Sequence, residues 1–373
     1  MAQVLFSKGL SPSDPVKSPI IIIGQHQHLA RVAWEDIKAK LEPRVTQEMW
    51  SSGVSSLSPS PTDISLYMNL ATVAALPAKV SRHNTQSRAH SITKIIKTLT
   101  SSSNESVVIV CRREDVYASG CAVARAYSSY SRKTTGDPPN VTGRGGKEAV
   151  VNVEFMIVDE DGEAESKAVP SQLSAEDIKA LVTSCEAIKT SARIVDMPCN
   201  EMNTDAFVEE AKRIGAELGI VPTIIRGEEL RERGFGGIYG VGKAAAHPPA
   251  LVVLSHKPAK SSKAIAWVGK GIVYDTGGLS IKTKTGMPGM KRDCGGAAGI
   301  LGAFYVAVKN GFQDTLHCVL CLAENAVGPL ATRPDDIHTM YSGKTVEINN
   351  TDAEGRLVLS DGVAYASKVG SCH

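Results

Sequence analysis

The sequence has no excess of charge of either sign: 41 Lys and Arg stand against 39 Asp and Glu, a formal net charge of +2. Without a concentrated basic surface there is no electrostatic case for nucleic acid or an anionic membrane as the main partner. A long hydrophobic run is also missing. The N-terminal stretch carries Lys8 and Lys17 ahead of a short apolar run at 19–23, too short for a signal-peptide core and far too short to span a bilayer. A soluble protein of the cytoplasm is expected. There is no disulfide framework either. The eight cysteines are scattered at 111, 121, 185, 199, 294, 318, 321 and 372, mostly in apolar surroundings, which fits reduced core thiols. No internal repeat is present.

What is there is ordinary globular composition: 373 residues, 42% hydrophobic and 21% charged. Disorder throughout is excluded, and at roughly 150 residues per domain the length suggests two domains, or three. Serine-rich and Gly/Pro-rich stretches at 51–63, 101–106 and 132–147 read as loops, with strands expected at 107–111 and 150–158 and helices at 90–99 and around 122–127. The acidic, small-residue segment 159–170 reads as a linker, so an N-terminal α/β domain is expected over 1–168 and a second domain over 169–373.

The second region opens on a helical repeat of Ile178, Leu181, Val182, Cys185 and Ile188 behind Ser174 as N-cap. A helix over 205–218 stopped by Gly219, strands at 220–225, 250–255 and 265–268, a helix over 296–309 and a strand at 315–322 follow. Strands alternating with helices argue for an α/β fold with a mixed, largely parallel sheet.

Several motifs have bland readings that prevail. GIYGVGKA (237–244) nearly completes a phosphate-binding loop, but Ala244 cannot ligate a metal and Pro248 and Pro249 break the helix such a loop must open; a Gly-rich turn is expected. His26 and His28 share a face if extended, yet without a third ligand they read as solvent-exposed histidines. Cys318 and Cys321 form a CxxC inside an apolar run and read as buried strand residues.

NNTDAEGRL (349–357) is more informative. If extended, Asp352, Glu354 and Arg356 point the same way, and two carboxylates so placed require a cation or a raised pKa. The reading is open between a divalent metal site and a solvated acidic turn. A second stretch, VGKGIVYDTGGLSIKTKTGMPGMKRDCGGAAG (268–299), places Lys270, Asp275, Lys282 and Asp293 in a Gly-rich segment after a strand that ends at Val268. Asp293, just before the next helix, is open to a second explanation as a charge favoured by the helix dipole.

Together these two stretches resemble the signatures of the leucine aminopeptidase family, dinuclear-metal cytosolic exopeptidases, and most of all its animal aminopeptidase-like branch. The likeness is strong over about 193–366 and weak in the N-terminal region. It implies that Asp275 and Glu354 bridge two metals, that Asp352 completes one site, and that Lys270 with Asp293 completes the other. Lys270 as a ligand must be neutral, which an adjacent dication promotes. Lys282 and Arg356 match the two catalytic residues that are not ligands. The oxygen-rich set suits zinc or manganese, with magnesium or cobalt also compatible. The family's mechanism follows: one metal takes the free amine of a peptide, a water between the metals attacks the scissile carbonyl, Lys282 stabilises the oxyanion, and Arg356 anchors a bicarbonate that shuttles the proton. Met290 falls where the family builds its pocket for the first side chain, or packs as plain core.

Related enzymes continue past the position of His373 with a segment that completes the catalytic sheet, the specificity pocket and the contacts of a homohexamer. The chain is therefore read as C-terminally shortened, its catalytic domain incomplete. Two functions are carried: a metal-dependent aminopeptidase acting on peptides, or a catalytically silent relative or fragment serving as a binding or regulatory subunit.

Overall fold

A computed structural model describes residues 2–59, 62–81, 83, 85–100, 104–127, 129–132, 149–158 and 167–370. The chain divides into two compact units, Met1–Lys189 and Thr190–His373. All of the expected loop at 132–147 but its first residue, and the first part of the expected linker, lie outside the described residues. The end of that linker is not loop but strand, Ala168–Pro170, hydrogen-bonded into the first sheet.

The first unit runs β1 (Ala2–Phe6), β2 (Ile20–Gln25), α1 (His26–Leu29), α2 (Trp34–Leu41), α3 (Gln47–Ser56), β3 (Thr62–Tyr67), β4 (Ala71–Leu76), α4 (Ala89–Leu99), β5 (Glu105–Cys111), α5 (Val116–Ala126), β6 (Ala149–Val158) and β7 (Ala168–Pro170). Its sheet has the order β1-β6-β5-β2-β4-β3 with β7 also beside β6. The inner pairings are parallel; β3 and β7 join antiparallel. The central strands IIIIGQ and ESVVIVC are buried at every position and mostly apolar, because helices cover both faces. Ile92, Ile96, Val123 and Leu181 pack on one face, and Ile37, Leu41, Trp50 and Val54 on the other.

The long helix α6 (Ala175–Asp196) spans the boundary between the units. Its start is the expected one. The Asp177 N–H donates to Ser174 Oγ at 3.1 Å, and Ser174 N–H donates back to Asp177 Oδ2 at 2.9 Å, a reciprocal cap.

The second unit continues with α7 (Thr204–Leu218), β8 (Thr223–Arg226), α8 (Glu228–Glu232), α9 (Gly236–Gly242), β9 (Ala250–His256), β10 (Ala264–Asp275), a 3-10 turn (Met290–Cys294), α10 (Gly295–Lys309), β11 (Thr315–Asn325), β12 (Ile337–Thr339), β13 (Thr345–Glu347), a 3-10 turn (Thr351–Ala353) and α11 (Glu354–Gly370). Gly219, at φ 69°, ends α7 as expected. The sheet order is β10-β11-β9-β8, with β10 and β11 parallel and the other two pairings antiparallel. α9 and α11 share a core with one face through Ile238, Val241, Leu357, Val358, Val319 and Cys321.

Four local expectations are corrected. The GIYGVGKA segment is not a turn but largely the helix α9, and its glycines are there for closeness: a Cβ on Gly240 would stand 1.9 Å from the His338 ring, and one on Gly242 2.5 Å from Pro249. His26 and His28 are not extended but open the short helix α1, and His28 is buried rather than exposed. Burial foremost, then the charges of Arg112 and Arg31, pushes its imidazole down to about 4. The strand expected to end at Val268 runs on to Asp275. NNTDAEGRL is not extended but a 3-10 turn entering α11. Cys318 and Cys321 are buried strand residues, as their apolar context implies.

Candidate metal centre

Adjacent residues of β10 face opposite sides of the sheet. Gly269 and Gly271 face α10, where a Cβ would fall 2.8 Å from Ala297 Cα and 3.1 Å from Ala297 Cβ respectively. The helix can therefore lie against the strand. Lys270 faces the opposite way, toward the first turn of α11, where a Cβ on Gly355 would stand 2.6 Å from Lys270 Nζ. Glycine at 355 leaves the space the lysine side chain occupies.

The turn at 351–353 delivers the acidic pair. Asn350 Oδ1 accepts from the Asp352 N–H at 2.9 Å, capping the turn, and Glu354 follows as the first residue of α11. This geometry, rather than alternation along a strand, brings Asp352 and Glu354 to the end of β10. Arg356, two residues further along the helix, is exposed.

Four carboxylates and two lysines meet here. Asp275, Asp293 and Glu354 can each offer an oxygen within 4.8 Å of the other two. Lys270 Nζ lies 3.0 Å from Asp293 and 2.7 Å from Glu354, and Lys282 Nζ lies 2.8 Å from Asp275 and 2.5 Å from Asp352. Each ammonium thus sits between two carboxylates, as a cation would. Burial opposes the charge on Lys270, but the hydrogen bonds it donates to Glu354 and Asp293 outweigh it and hold the group above its ordinary value. Lys282 behaves alike, raised by Asp275 and Asp352 against the cost of burial. Burial foremost raises Glu354, with the Asp275 charge adding to it and the hydrogen bond from Lys270 working against it.

The donor set fits divalent cations. Glu354 Oε2 is buried with no hydrogen-bond partner, and four carboxylates against two ammonium groups leave the cluster formally negative. Oxygen-rich clusters of this kind are what hard and borderline cations bind.

A polar frame holds these side chains, and sequence reading gave Asn325, Thr351 and Ser280 in it no role. Asn325 at the end of β11 donates to Asp275 Oδ1 at 2.9 Å and to the Thr351 carbonyl at 3.0 Å. Thr351 Oγ1 donates to the Gly277 carbonyl at 2.6 Å and accepts from Ser280 N–H at 2.7 Å. Gly277 and Gly278 take φ of 84° and 62°, and their left-handed turn lets the loop double back to this contact. The one available signal was a polar Asn closing an apolar strand. Met290, proposed for the pocket, opens the 3-10 turn that carries Asp293 and is half-buried.

A model of the cytosol aminopeptidase family's catalytic domain matches residues 189–372, and a model of an M17 aminopeptidase N-terminal domain matches 18–136. The chain is 56% identical over 365 residues to the Homo sapiens protein named Probable aminopeptidase NPEPL1, covering 97% of this chain and 67% of that one. It is 44% identical over 373 residues to Leucine aminopeptidase 1 of Caenorhabditis elegans, covering 99% and 71%. Among solved structures, C. elegans leucine aminopeptidase superposes with a TM-score of 0.86 at 43% identity, covering 99% of this chain and 72% of that one. Apo leucyl aminopeptidase from Trypanosoma cruzi superposes at 0.77 and 35%, covering 98% and 70%. The likeness spans both units, so the N-terminal region is nearer to these relatives than its sequence alone implied.

Proposed function

Because the chain belongs to the cytosol aminopeptidase family of metalloexopeptidases, we propose that it removes the N-terminal residue from peptides through a water activated between two divalent cations. The observation that carries this is the convergence of Asp275, Asp293 and Glu354 within 4.8 Å, with Asp352 and two lysines around them. In this reading Asp275, Glu354 and Asp352, with Lys270 and Asp293, would hold the two cations. Zinc or manganese suits the donors best, with magnesium or cobalt compatible. Bound there, the cations would supply Lewis-acid polarisation and a water ionised near neutral pH.

The chain's own residues do the rest. Lys282, anchored beside Asp275 and Asp352, donates to the scissile carbonyl oxygen and offsets the negative charge that grows on it. Arg356 is exposed in the first turn of α11, and in this reading it would hold a bicarbonate ion that carries the proton to the leaving amine. Lys270 gives up its proton when it becomes a ligand, since a metal ligand must offer a lone pair. In this reading the protein acts on peptides in the cytoplasm, and it would assemble as a homohexamer, as the family does, where the C-terminal segment that supplies the contacts is present. No helix among the described residues is long and apolar enough to cross a membrane.

The test is hydrolysis of leucyl-amide by the 373-residue chain with added manganese or zinc, beside Asp352→Ala and Lys282→Ala. The reading requires turnover lost in both variants. A folded, metal-loaded chain without turnover would reject it in favour of a silent binding subunit.

A further inference from the structure

We infer that Asn325 is the positioning residue of this centre: its amide fixes which oxygen of Asp275 faces the cation position and ties that carboxylate to the turn bearing Asp352 and Glu354. The inference rests on the metal-site reading above and adds to it a residue outside the ligand set.

Asn325 is 5% exposed, so its amide must be satisfied within the protein. Both of its partners are acceptors: a carboxylate oxygen, Asp275 Oδ1 at 2.9 Å, and a carbonyl, Thr351 O at 3.0 Å. That settles the orientation of the amide, since only its NH2 end can serve them, and it uses both amide protons. The Gly277 N–H is a second donor to the same Oδ1 at 2.9 Å. Two donors occupy Oδ1, and Oδ2 is left as the oxygen turned to the cluster, 2.8 Å from Lys282 Nζ.

The backbone of the same residue fastens the other segment. The Asn325 carbonyl accepts from Thr276 N–H at 3.1 Å and from Thr276 Oγ1 at 2.6 Å. One residue at the tip of β11 therefore clamps the loop after β10 and the turn before α11, the two segments that supply Asp275, Lys282, Asp352 and Glu354. Groups that orient ligands from behind typically change metal affinity by about 10–100-fold when removed. No other residue type offers the pair of donors at this length: Leu offers none, and Asp sets a second acceptor against Oδ1.

The experiment is calorimetric titration of Mn2+ into the metal-free full chain, for wild type, Asn325→Ala and Asn325→Asp, with thermal unfolding recorded on each. Asn325→Asp keeps the side-chain shape and Asn325→Ala removes the amide without adding a charge. The unfolding curves show which of them is folded, and the Asp variant separates two explanations. If charge alone mattered, a further carboxylate would tighten Mn2+ binding; loss of the two donors predicts weaker binding. The expected result is a drop of about 10–100-fold in affinity for both folded variants. Wild-type or tighter affinity in either folded variant overturns the inference and leaves the metal-site reading standing. A wild-type chain that takes up no Mn2+ overturns that reading and this inference together.

Discussion

Lys270 can reach Glu354 and Asp293 only because residue 355 has no side chain. A Cβ there would lie 2.6 Å from Nζ, 2.8 Å from Cδ and 2.9 Å from Cε, closer than real contacts permit. Alanine is nonetheless a better helix former than glycine, by roughly 0.5–1 kcal/mol. Gly355→Ala should therefore fold at least as well by circular dichroism while losing about tenfold or more in metal affinity, as a displaced ligand would. Unchanged affinity would mean that Lys270 is not held by the first turn of α11. His28 offers a residue-scale test in the first unit. Its imidazole sits at about 4 against an ordinary 6.5, so between those values the unfolded chain binds the extra proton and stability falls as pH falls. The loss in melting temperature between about pH 6.5 and pH 5 should be smaller in His28→Gln than in wild type. His338, lowered mainly by burial, pulls in the same direction, so the comparison with the variant isolates the His28 share.

At the scale of elements, α11 holds Glu354 at the carboxylate cluster only while it lies flat on β10 and β11. Gly362 makes that possible: a Cβ there would stand 2.4 Å from Cys321 Sγ and 2.7 Å from Val268 Cγ1. Gly362→Val should cost about 1–3 kcal/mol through overpacking, read as a lower midpoint in urea, and should weaken metal binding by shifting Glu354. The same helix shows where sequence reading stops. Long periodic elements such as α6, α7 and α10 and the apolar strands β5, β6 and β11 are legible because many residues repeat one period. NNTDAEGRL is too short for periods of 2.0 and 3.6 to diverge, so the acidic residues it brings to the cluster were singled out while its shape was read as extended. Glycines misled twice, at α9 and along β10, since local preference argues against helix and strand there, whereas close packing on His338 and Ala297 requires glycine. The role of Asn325 was not legible beyond its place at the end of an apolar strand, because its partners lie 50 and 26 residues away in the chain.

At the scale of the whole molecule, the chain spans about two thirds of the length of the relatives it matches, and its two units have separate cores. A folded state that binds cations and an unfolded state that does not are linked by mass action. With free metal at roughly 100 times Kd, one site adds about 2.7 kcal/mol. Manganese should therefore raise the melting temperature of wild type, a chelator should reverse the rise, and Asp275→Asn should show neither. The most direct measurement of the central claim is mass spectrometry of a defined peptide incubated with the manganese-loaded chain, beside the same peptide acetylated at its N-terminus. The account predicts a product one residue shorter from the free peptide alone, absent with Lys282→Ala. Internal fragments, equal cleavage of the acetylated peptide, or no product from a chain shown to hold its metal would contradict it.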